Sequence, residues 1–373
     1  MKSFILYISS LFFFINYNLN PIFSFYGIPS LLSDLILIFA ILCLSIVFFM
    51  TNKLEKYPSI LLLSLSVLII FNLSSFSIIQ VLTPLLFVYT AFILASNVSM
   101  EFSSQTTFTK NNLQFTTLIF LIVASYATYC FSLQIIESLK TGVWSEINRQ
   151  GMATFFLVLP FLYKLFEYTY KFKPSNFFYL FLLIVCLTNV LVLQSRTASI
   201  ACIMYFLIFF LMSKNKAALV FIGFLTISPI VFLFWENLLE FAPRLFNYSY
   251  IGSDTSSNSI AGRYVLYNES LSKITTNPIL GDFPPMNNFL LEHYPHNFIL
   301  EIFIDFGMII GSASIIAIIY LIIINFRISV WMLPLFAAMS VSWSIYNSKI
   351  FFLILFLLLF NIKNTKPLKI ETY

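Results

Sequence analysis

Charged residues are scarce in this sequence. Only 9% of its 373 residues are Asp, Glu, Lys or Arg, whereas 60% are hydrophobic. A soluble globular chain carries about 25% charged and about 45–50% apolar residues. No soluble core is large enough to bury this apolar excess, so the composition excludes a soluble fold and predicts an integral membrane protein.

Glycine and cysteine are also few, with 9 and 4 residues, while Phe is abundant at 46. Cys43, Cys130, Cys186 and Cys202 each lie inside an apolar run, as is typical of small buried hydrophobic residues. Because the sequence has no CxxC pair, no disulfide framework is predicted. The net charge of +5 comes without a basic block, so nucleic acid is not an expected partner.

Long apolar runs alternate with short polar breaks along the chain. A helix needs about 20 apolar residues to cross the hydrocarbon of a bilayer. We find no internal repeat, and we predict a single all-α membrane domain over residues 1–373. The run after Lys2 lacks a small-residue cleavage site, so we interpret it as the first helix. The predicted spans, about 12 in all, are 4–24, 28–50, 57–75, 76–96, 115–133, 151–170, 176–194, 196–212, 217–237, 298–325, 329–346 and 348–362.

The stretch from Asn176 to Met212 is apolar except for Gln194-Ser195-Arg196-Thr197 near its middle. It is too long for one crossing. We therefore predict a helical hairpin with Arg196 at its tip.

Lysine and arginine set the predicted orientation, because inner loops of membrane proteins carry an excess of both. With the N-terminus inside, 13 of the 20 cations fall on the inner side and both termini are cytoplasmic. The inner cations are Lys2, Lys53, Lys56, Lys110, Lys164, Lys171, Lys173, Lys214, Lys216, Arg327, Lys363, Lys366 and Lys369. The outer cations are Lys140, Arg149, Arg196, Arg244, Arg263, Lys273 and Lys349.

Four of the five arginines fall outside in this arrangement, although twelve of the 15 lysines fall inside. A guanidinium group binds phosphate or carboxylate through two parallel hydrogen bonds. Arg149, Arg196, Arg244 and Arg263 are therefore candidate ligand-binding residues. The alternative is that they cap helix ends at the membrane surface.

Two outer segments are polar, residues 132–150 and the longer loop at 238–295. A polar loop of this length in a compact protein is usually functional. Within it, residues 262–273 have apolar side chains at helical spacing and are predicted to form a helix.

Both histidines, His293 and His296, precede the tenth predicted span. Their spacing suggests a metal pair, but Pro295 disfavours helix before it, and no other His or free Cys is near. A histidine at the outer mouth of a bundle suits proton transfer. The alternative is a structural hydrogen bond at the membrane surface.

Glu301 and Asp305 enter the tenth predicted span four residues apart, so they share a helix face. Carboxylates in a membrane helix are costly and tend to face a wet cavity. The alternative is that the positive end of the helix alone stabilises them.

An ordered set of motifs resembles the O-antigen ligase and O-antigen polymerase superfamily. The motifs span residues 148–311. One departure is that Gly307 and Gly311 are four residues apart, where the family usually has Gly-x-x-Gly. The motifs are Asn148-Arg149-Gln-Gly, Gln194-Ser195-Arg196-Thr-Ala-Ser, Gly262-Arg263-Tyr-Val-Leu-Tyr-Asn-Glu-Ser-Leu271, Asn277-Pro278-Ile-Leu-Gly281, His296-Asn297-Phe-Ile-Leu300-Glu301 and Gly307.

The resemblance implies a GT-C-like membrane glycosyltransferase in the bacterial inner membrane. Residues 238–295 would then form a large periplasmic loop. The donor would be an oligosaccharide on undecaprenyl pyrophosphate, and membrane lipid and a chain-length regulator protein are further expected partners. No cofactor and no metal is expected.

The implied site has two groups of residues. His296 would be the catalytic base, and Arg263 and Arg196 would stabilise the pyrophosphate. The expected substrate-binding residues are Arg149, Arg244, Glu301, Asp305, Asn297 and His293.

Three functions remain open. A polymerase joins lipid-linked repeat units, a ligase transfers the finished glycan to lipid A core, and a flippase moves lipid-linked sugars across the membrane. A transporter is expected to have internal repeats and polar residues at mid-membrane depth, and neither is clear here. The altered Gly spacing favours the polymerase over the ligase.

Overall fold

A computed structural model describes residues 22–23, 25–27, 56–70, 85, 88–89, 91–93, 95, 110–141, 146–170, 176–193, 195–212, 260–282, 295, 297–342 and 349–361. All regular structure within these ranges is helical, which confirms the predicted all-α class for this part of the chain. The elements are α1 (Lys56–Ile70), α2 (Lys110–Thr141), α3 (Glu146–Tyr170), α4 (Asn176–Val192), α5 (Arg196–Met212), α6 (Ile260–Thr276), α7 (Phe298–Ile324), α8 (Phe326–Ser329), a 3₁₀ turn (Val330–Met332), α9 (Leu333–Ser342) and α10 (Lys349–Asn361).

The predicted hairpin over residues 176–212 is confirmed. α4 and α5 pack against each other, and α5 begins at Arg196. The amide of Ser195 donates a hydrogen bond of 3.2 Å to the carbonyl oxygen of Val190, which supplies a partner for the end of α4. Arg196 therefore lies at the tip of the hairpin.

An aromatic cluster joins α3, α4 and α5 at the opposite end of this hairpin. The ring centroid of Tyr179 in α4 lies 5.5 Å from that of Tyr163 in α3 and 5.4 Å from that of Phe209 in α5. Trp331 contacts Tyr179 edge-on, with 5.5 Å between ring centroids. The ammonium nitrogen of Lys164 lies over the same two rings, 4.3 Å from Tyr179 and 4.7 Å from Trp331. Each such ring pair contributes about 0.5–1.5 kcal/mol beyond area burial.

The outside of the helices is apolar. On α5, Ile200, Ile203, Leu207 and Leu211 are all exposed, and they recur at the three- or four-residue spacing of one helix face. Monomeric soluble proteins rarely expose apolar patches larger than a few hundred Å². In a bilayer the acyl chains cover such a face. The described helices therefore have the surface of a membrane protein.

By length and composition, one helix among the described residues, Phe298–Ile324 with its 27 residues, is long and apolar enough to cross a membrane. The number of crossings stays a prediction, and the predicted spans 28–50 and 217–237 lie outside the described residues. Shorter apolar helices of 10–17 residues cover Pro58–Val67, Gly151–Leu165, Phe178–Val192, Arg196–Met212, Val330–Ser340 and Phe351–Phe360.

Two helices continue beyond their predicted spans into the polar segment 132–150. α2 extends to Thr141, and α3 begins at Glu146, five residues before the predicted start. Polar residues such as Gln, Glu and Lys are unfavourable against lipid, but they are good helix formers. The helices can therefore continue beyond the apolar runs. The 32 residues of α2 correspond to about 48 Å, so the helix is longer than the hydrocarbon layer of about 30 Å.

α7 is sharply bent at Gly307. The ring of Phe298, at its start, lies 5.9 Å from that of Phe351 in α10. Just beyond its end, the side-chain amide of Asn325 donates a hydrogen bond of 3.2 Å to the carbonyl oxygen of Leu358. The two contact points on α10 are about 10 Å apart, whereas a straight helix between the two α7 residues would span about 40 Å. The bend brings both ends of α7 against α10.

Candidate active site

Gly307 divides α7 into a first arm, residues 298–306, and a second arm, residues 308–324. Its backbone has φ 69° and ψ 178°, a region that essentially only glycine occupies. Such a break removes helical partners from nearby amide and carbonyl groups. Another part of the chain supplies these groups with hydrogen-bond partners.

The turn that follows α6, residues 277–282, bonds to both sides of the break. The amide of Asp282 donates a hydrogen bond of 2.7 Å to the carbonyl oxygen of Ile304 in the first arm. The amide of Met308, the first residue of the second arm, donates a hydrogen bond of 2.7 Å to the carbonyl oxygen of Pro278. This turn therefore holds the bend in place.

The 277–282 turn is closed by its own polar groups. The side-chain amide of Asn277 donates to a carboxylate oxygen of Asp282 over 3.0 Å. The amide of Gly281 donates to the carbonyl oxygen of Asn277 over 3.1 Å. Gly281 has φ 71°, which an L side chain rarely adopts. Asn277 and Gly281 belong to the sequence motifs, whereas Asp282 does not, because only the folded turn brings it to Asn277.

Asn297 begins the first arm as its N-cap. Its side-chain oxygen accepts hydrogen bonds from the amides of Ile299 at 3.0 Å and Leu300 at 3.2 Å. An asparagine cap stabilises a helix by about 1 kcal/mol. The contact that the structure shows for Asn297 is helix capping, and its role in substrate binding stays a prediction.

Glu301 and Asp305 are the buried acidic residues of the first arm. They lie four residues apart, and their exposed fractions are only 2% and 4%. Nearby Ile309, on the second arm, is 66% exposed. The two carboxylates therefore lie within the protein and away from the apolar surface that faces lipid. Burying a carboxylate is unfavourable unless it is paired or hydrogen-bonded. Among the acidic side chains that the structure describes, only these two, both on the first arm, are buried.

α6 packs against α7, and the predicted helix over 262–273 is confirmed. Ser270 is the most buried described residue of α6, with 3% exposed, and its hydroxyl donates to the carbonyl oxygen of Leu266 over 2.6 Å. Positions 263, 266 and 270 recur at helical spacing. The position of Arg263 therefore lies on the same face of α6 as Ser270.

Three further arginines lie on described helices, Arg149 on α3, Arg196 on α5 and Arg327 on α8. Arg196 is half-buried as the first residue of α5, and Arg149 lies in the first turn of α3. α9 packs against both α5 and α7. The helix that carries Arg196 and the helix that carries Glu301 and Asp305 thus share one neighbour.

His293, His296 and Arg244 lie outside the described residues. In the sequence, His296 directly precedes Asn297, the cap of α7. Among the residues that the structure describes, no group of three or more His, Cys, Asp or Glu side chains is arranged to hold a metal ion.

Over the described residues, this fold and site define a helical membrane protein with two buried carboxylates on a bent helix. Residues 181–312 match the family described as O-antigen ligase. The predicted resemblance to the O-antigen ligase and polymerase superfamily is thereby confirmed over this part of the chain. No curated protein and no solved structure matches the chain.

Proposed function

We propose that this protein is a polysaccharide polymerase of the bacterial inner membrane. It joins repeat units that are carried on undecaprenyl pyrophosphate, at the periplasmic face. The family match over residues 181–312 supports O-antigen ligase or polymerase chemistry in general.

One observation carries the proposal. Three motifs that are separate in the sequence meet at the bend of α7: the α6 helix, the 277–282 turn and the first arm. The hydrogen bonds at Ile304 and Met308 fix the arm that carries Glu301 and Asp305 relative to α6, which carries Arg263. Catalytic groups must be held in a fixed relative geometry to act together.

The proposed reaction forms one glycosidic bond and breaks one sugar–phosphate bond. A hydroxyl oxygen of the acceptor sugar attacks the anomeric carbon of the donor, and undecaprenyl pyrophosphate leaves with the bonding electrons. His296 accepts the hydroxyl proton. Arg263 and Arg196 stabilise the negative charge that develops on the pyrophosphate, because preorganised donors act most strongly where charge appears in the transition state.

Glu301 and Asp305 are proposed to bind the sugar. Ionised carboxylates accept strong hydrogen bonds from hydroxyl groups. Their burial on the first arm supports this role, since a sugar bound beside them would also be shielded from lipid. Arg149, Arg244, His293 and Asn297 are proposed as further contacts to the donor or acceptor, and a chain-length regulator as a partner protein.

A ligase is the second candidate, because the matching family is described as O-antigen ligase. The polymerase is preferred because Gly307 and Gly311 are four residues apart, whereas the family usually has Gly-x-x-Gly. Gly307 forms the bend, and Gly311 lies against the ring of Phe303 on the first arm.

The two candidates predict different products in cells. The gene is deleted and then restored on a plasmid, and extracted lipopolysaccharide is separated on a gel. Loss of a polymerase leaves lipid A core that bears a single repeat unit. Loss of a ligase leaves lipid A core with none, and that result would replace the polymerase with the ligase.

A further inference from the structure

We infer that the tip of the 277–282 turn is immersed in the bilayer and anchors α6 at the membrane surface. The partner is phospholipid acyl chains. This inference rests on the membrane class of the protein and not on the proposed reaction. It departs from the sequence, which predicts residues 238–295 as one polar loop.

The tip consists of two large apolar side chains that are exposed. Ile279 is 60% exposed and Leu280 is 77% exposed, the largest exposed fraction among the large hydrophobic residues that the structure describes. They stand side by side between Pro278 and Gly281. Two adjacent apolar side chains at the tip of a turn favour an apolar environment.

The exposure of these two residues is fixed by the backbone. Pro278, immediately before the tip, accepts a hydrogen bond of 2.7 Å from the amide of Met308. After the tip, Asp282 donates a hydrogen bond of 2.7 Å to Ile304. These two bonds hold the backbone on both sides of the tip, and in this conformation the pair is presented outward.

The tip is continuous with the lipid-facing surface of α7. The Pro278–Met308 hydrogen bond places Ile279 beside the start of the second arm. Met308, Ile309 and Ile310 are between 51% and 66% exposed. The same helix then exposes Ile316, Ile319, Tyr320 and Ile323. The turn therefore extends the apolar, lipid-facing surface of α7.

The exposed face of α6 is different. Most exposed residues of α6 are polar, among them Asn268, Glu269, Ser272 and Thr276, although Val265 and Leu271 are exposed as well. Polar and acidic side chains favour water or lipid headgroups over acyl chains. The change from this face to the tip occurs within a few residues, as expected where a helix meets the boundary between headgroups and acyl chains.

Photocrosslinking tests the inference directly. The full-length protein carries benzoylphenylalanine in place of Leu280, in vesicles of phosphatidylethanolamine and phosphatidylglycerol. The matched control carries it in place of Ser272 on the polar face of α6. After irradiation, intact mass spectrometry measures the fraction of protein that has gained the mass of one phospholipid.

We expect a phospholipid adduct at position 280 in at least a fivefold larger fraction than at position 272. Equal fractions at both positions would overturn the inference, as would a crosslink from position 280 to a second copy of the chain or to another segment of the same chain. If the Leu280 variant does not fold, Ile279 serves as the second position, and absence of a lipid adduct there would also overturn it.

Discussion

The backbones of Gly281 and Gly307 contact each other, and neither position has room for a side chain. A Cβ atom on Gly281 would lie 2.5 Å from the amide nitrogen of Gly307, and one on Gly307 would lie 2.8 Å from the amide nitrogen of Gly281. Both residues also have positive φ angles. The contact joins the turn after α6 to the bend of α7, on which the candidate site depends.

Replacing Gly307 with alanine should therefore be strongly destabilising. The backbone conformation alone costs about 1–3 kcal/mol, and the overlap with backbone atoms adds about 1–3 kcal/mol. The measurement is the melting temperature of the protein in lipid nanodiscs. Gly151→Ala is the matched control, because nothing lies within 4 Å of a Cβ atom there. A Gly307→Ala variant as stable as the control would contradict the account of the bend.

Glu301→Gln and Asp305→Asn should each fold normally but lower polymer formation about 10- to 100-fold. The amide side chains keep the volume, and the loss corresponds to weaker hydrogen bonds to sugar hydroxyls, about 1.5–3 kcal/mol. Glu269→Gln is the control, since Glu269 is exposed on α6. Initial rates with a lipid-linked repeat unit measure the effect. Wild-type rates in both variants would remove these carboxylates from the site.

Arg196→Lys and Arg263→Lys should lower the rate about 10²–10³-fold, the effect of losing one preorganised donor to a developing charge. Lysine keeps the positive charge but not the planar pair of donors. Arg327→Lys is the control, because Arg327 is predicted on the inner side. Membrane insertion is checked by yield after gel filtration. If all three variants are equally active, the outer arginines cap helix ends instead.

α6 should be accessible from the periplasm and the C-terminus from the cytoplasm. Thr276→Cys and Lys366→Cys are made in a Cys43→Ala background, since Cys130, Cys186 and Cys202 are buried. An impermeant maleimide added to intact cells should label position 276 only, and position 366 should react only after the membrane is opened. Labelling in the reverse order would place the site on the cytoplasmic side.

Local patterns in the sequence predict several elements well. The polar break at Arg196 predicts the hairpin, and the spacing of apolar residues after Gly262 predicts α6. The four-residue spacing of Glu301 and Asp305 predicts their shared face. Each depends on neighbouring residues along one helix, where period and polarity carry the signal.

The bend of α7 could not be predicted in the same way. The apolar run continues through residues 306–310 without a polar residue, so hydrophobicity indicates one straight span. The bend depends on the hydrogen bond from Met308 to Pro278 and the one from Asp282 to Ile304, whose partners lie 30 and 22 positions apart in the sequence. Lys164 is similar. Its charge predicts an inner loop, whereas its place between Tyr179 and Trp331 requires the packed bundle.

The most direct test of the central claim is polymerisation by the purified protein, using undecaprenyl-pyrophosphate-linked repeat units and no lipid A core. The account predicts products with two or more units and release of undecaprenyl pyrophosphate. It also predicts that His296→Ala slows the reaction about 10²–10⁴-fold, the range for a positioned acid–base group, while His293→Ala has little effect. A glycan product that forms only when lipid A core is supplied would contradict the polymerase, and an unchanged rate for His296→Ala would contradict the proposed base.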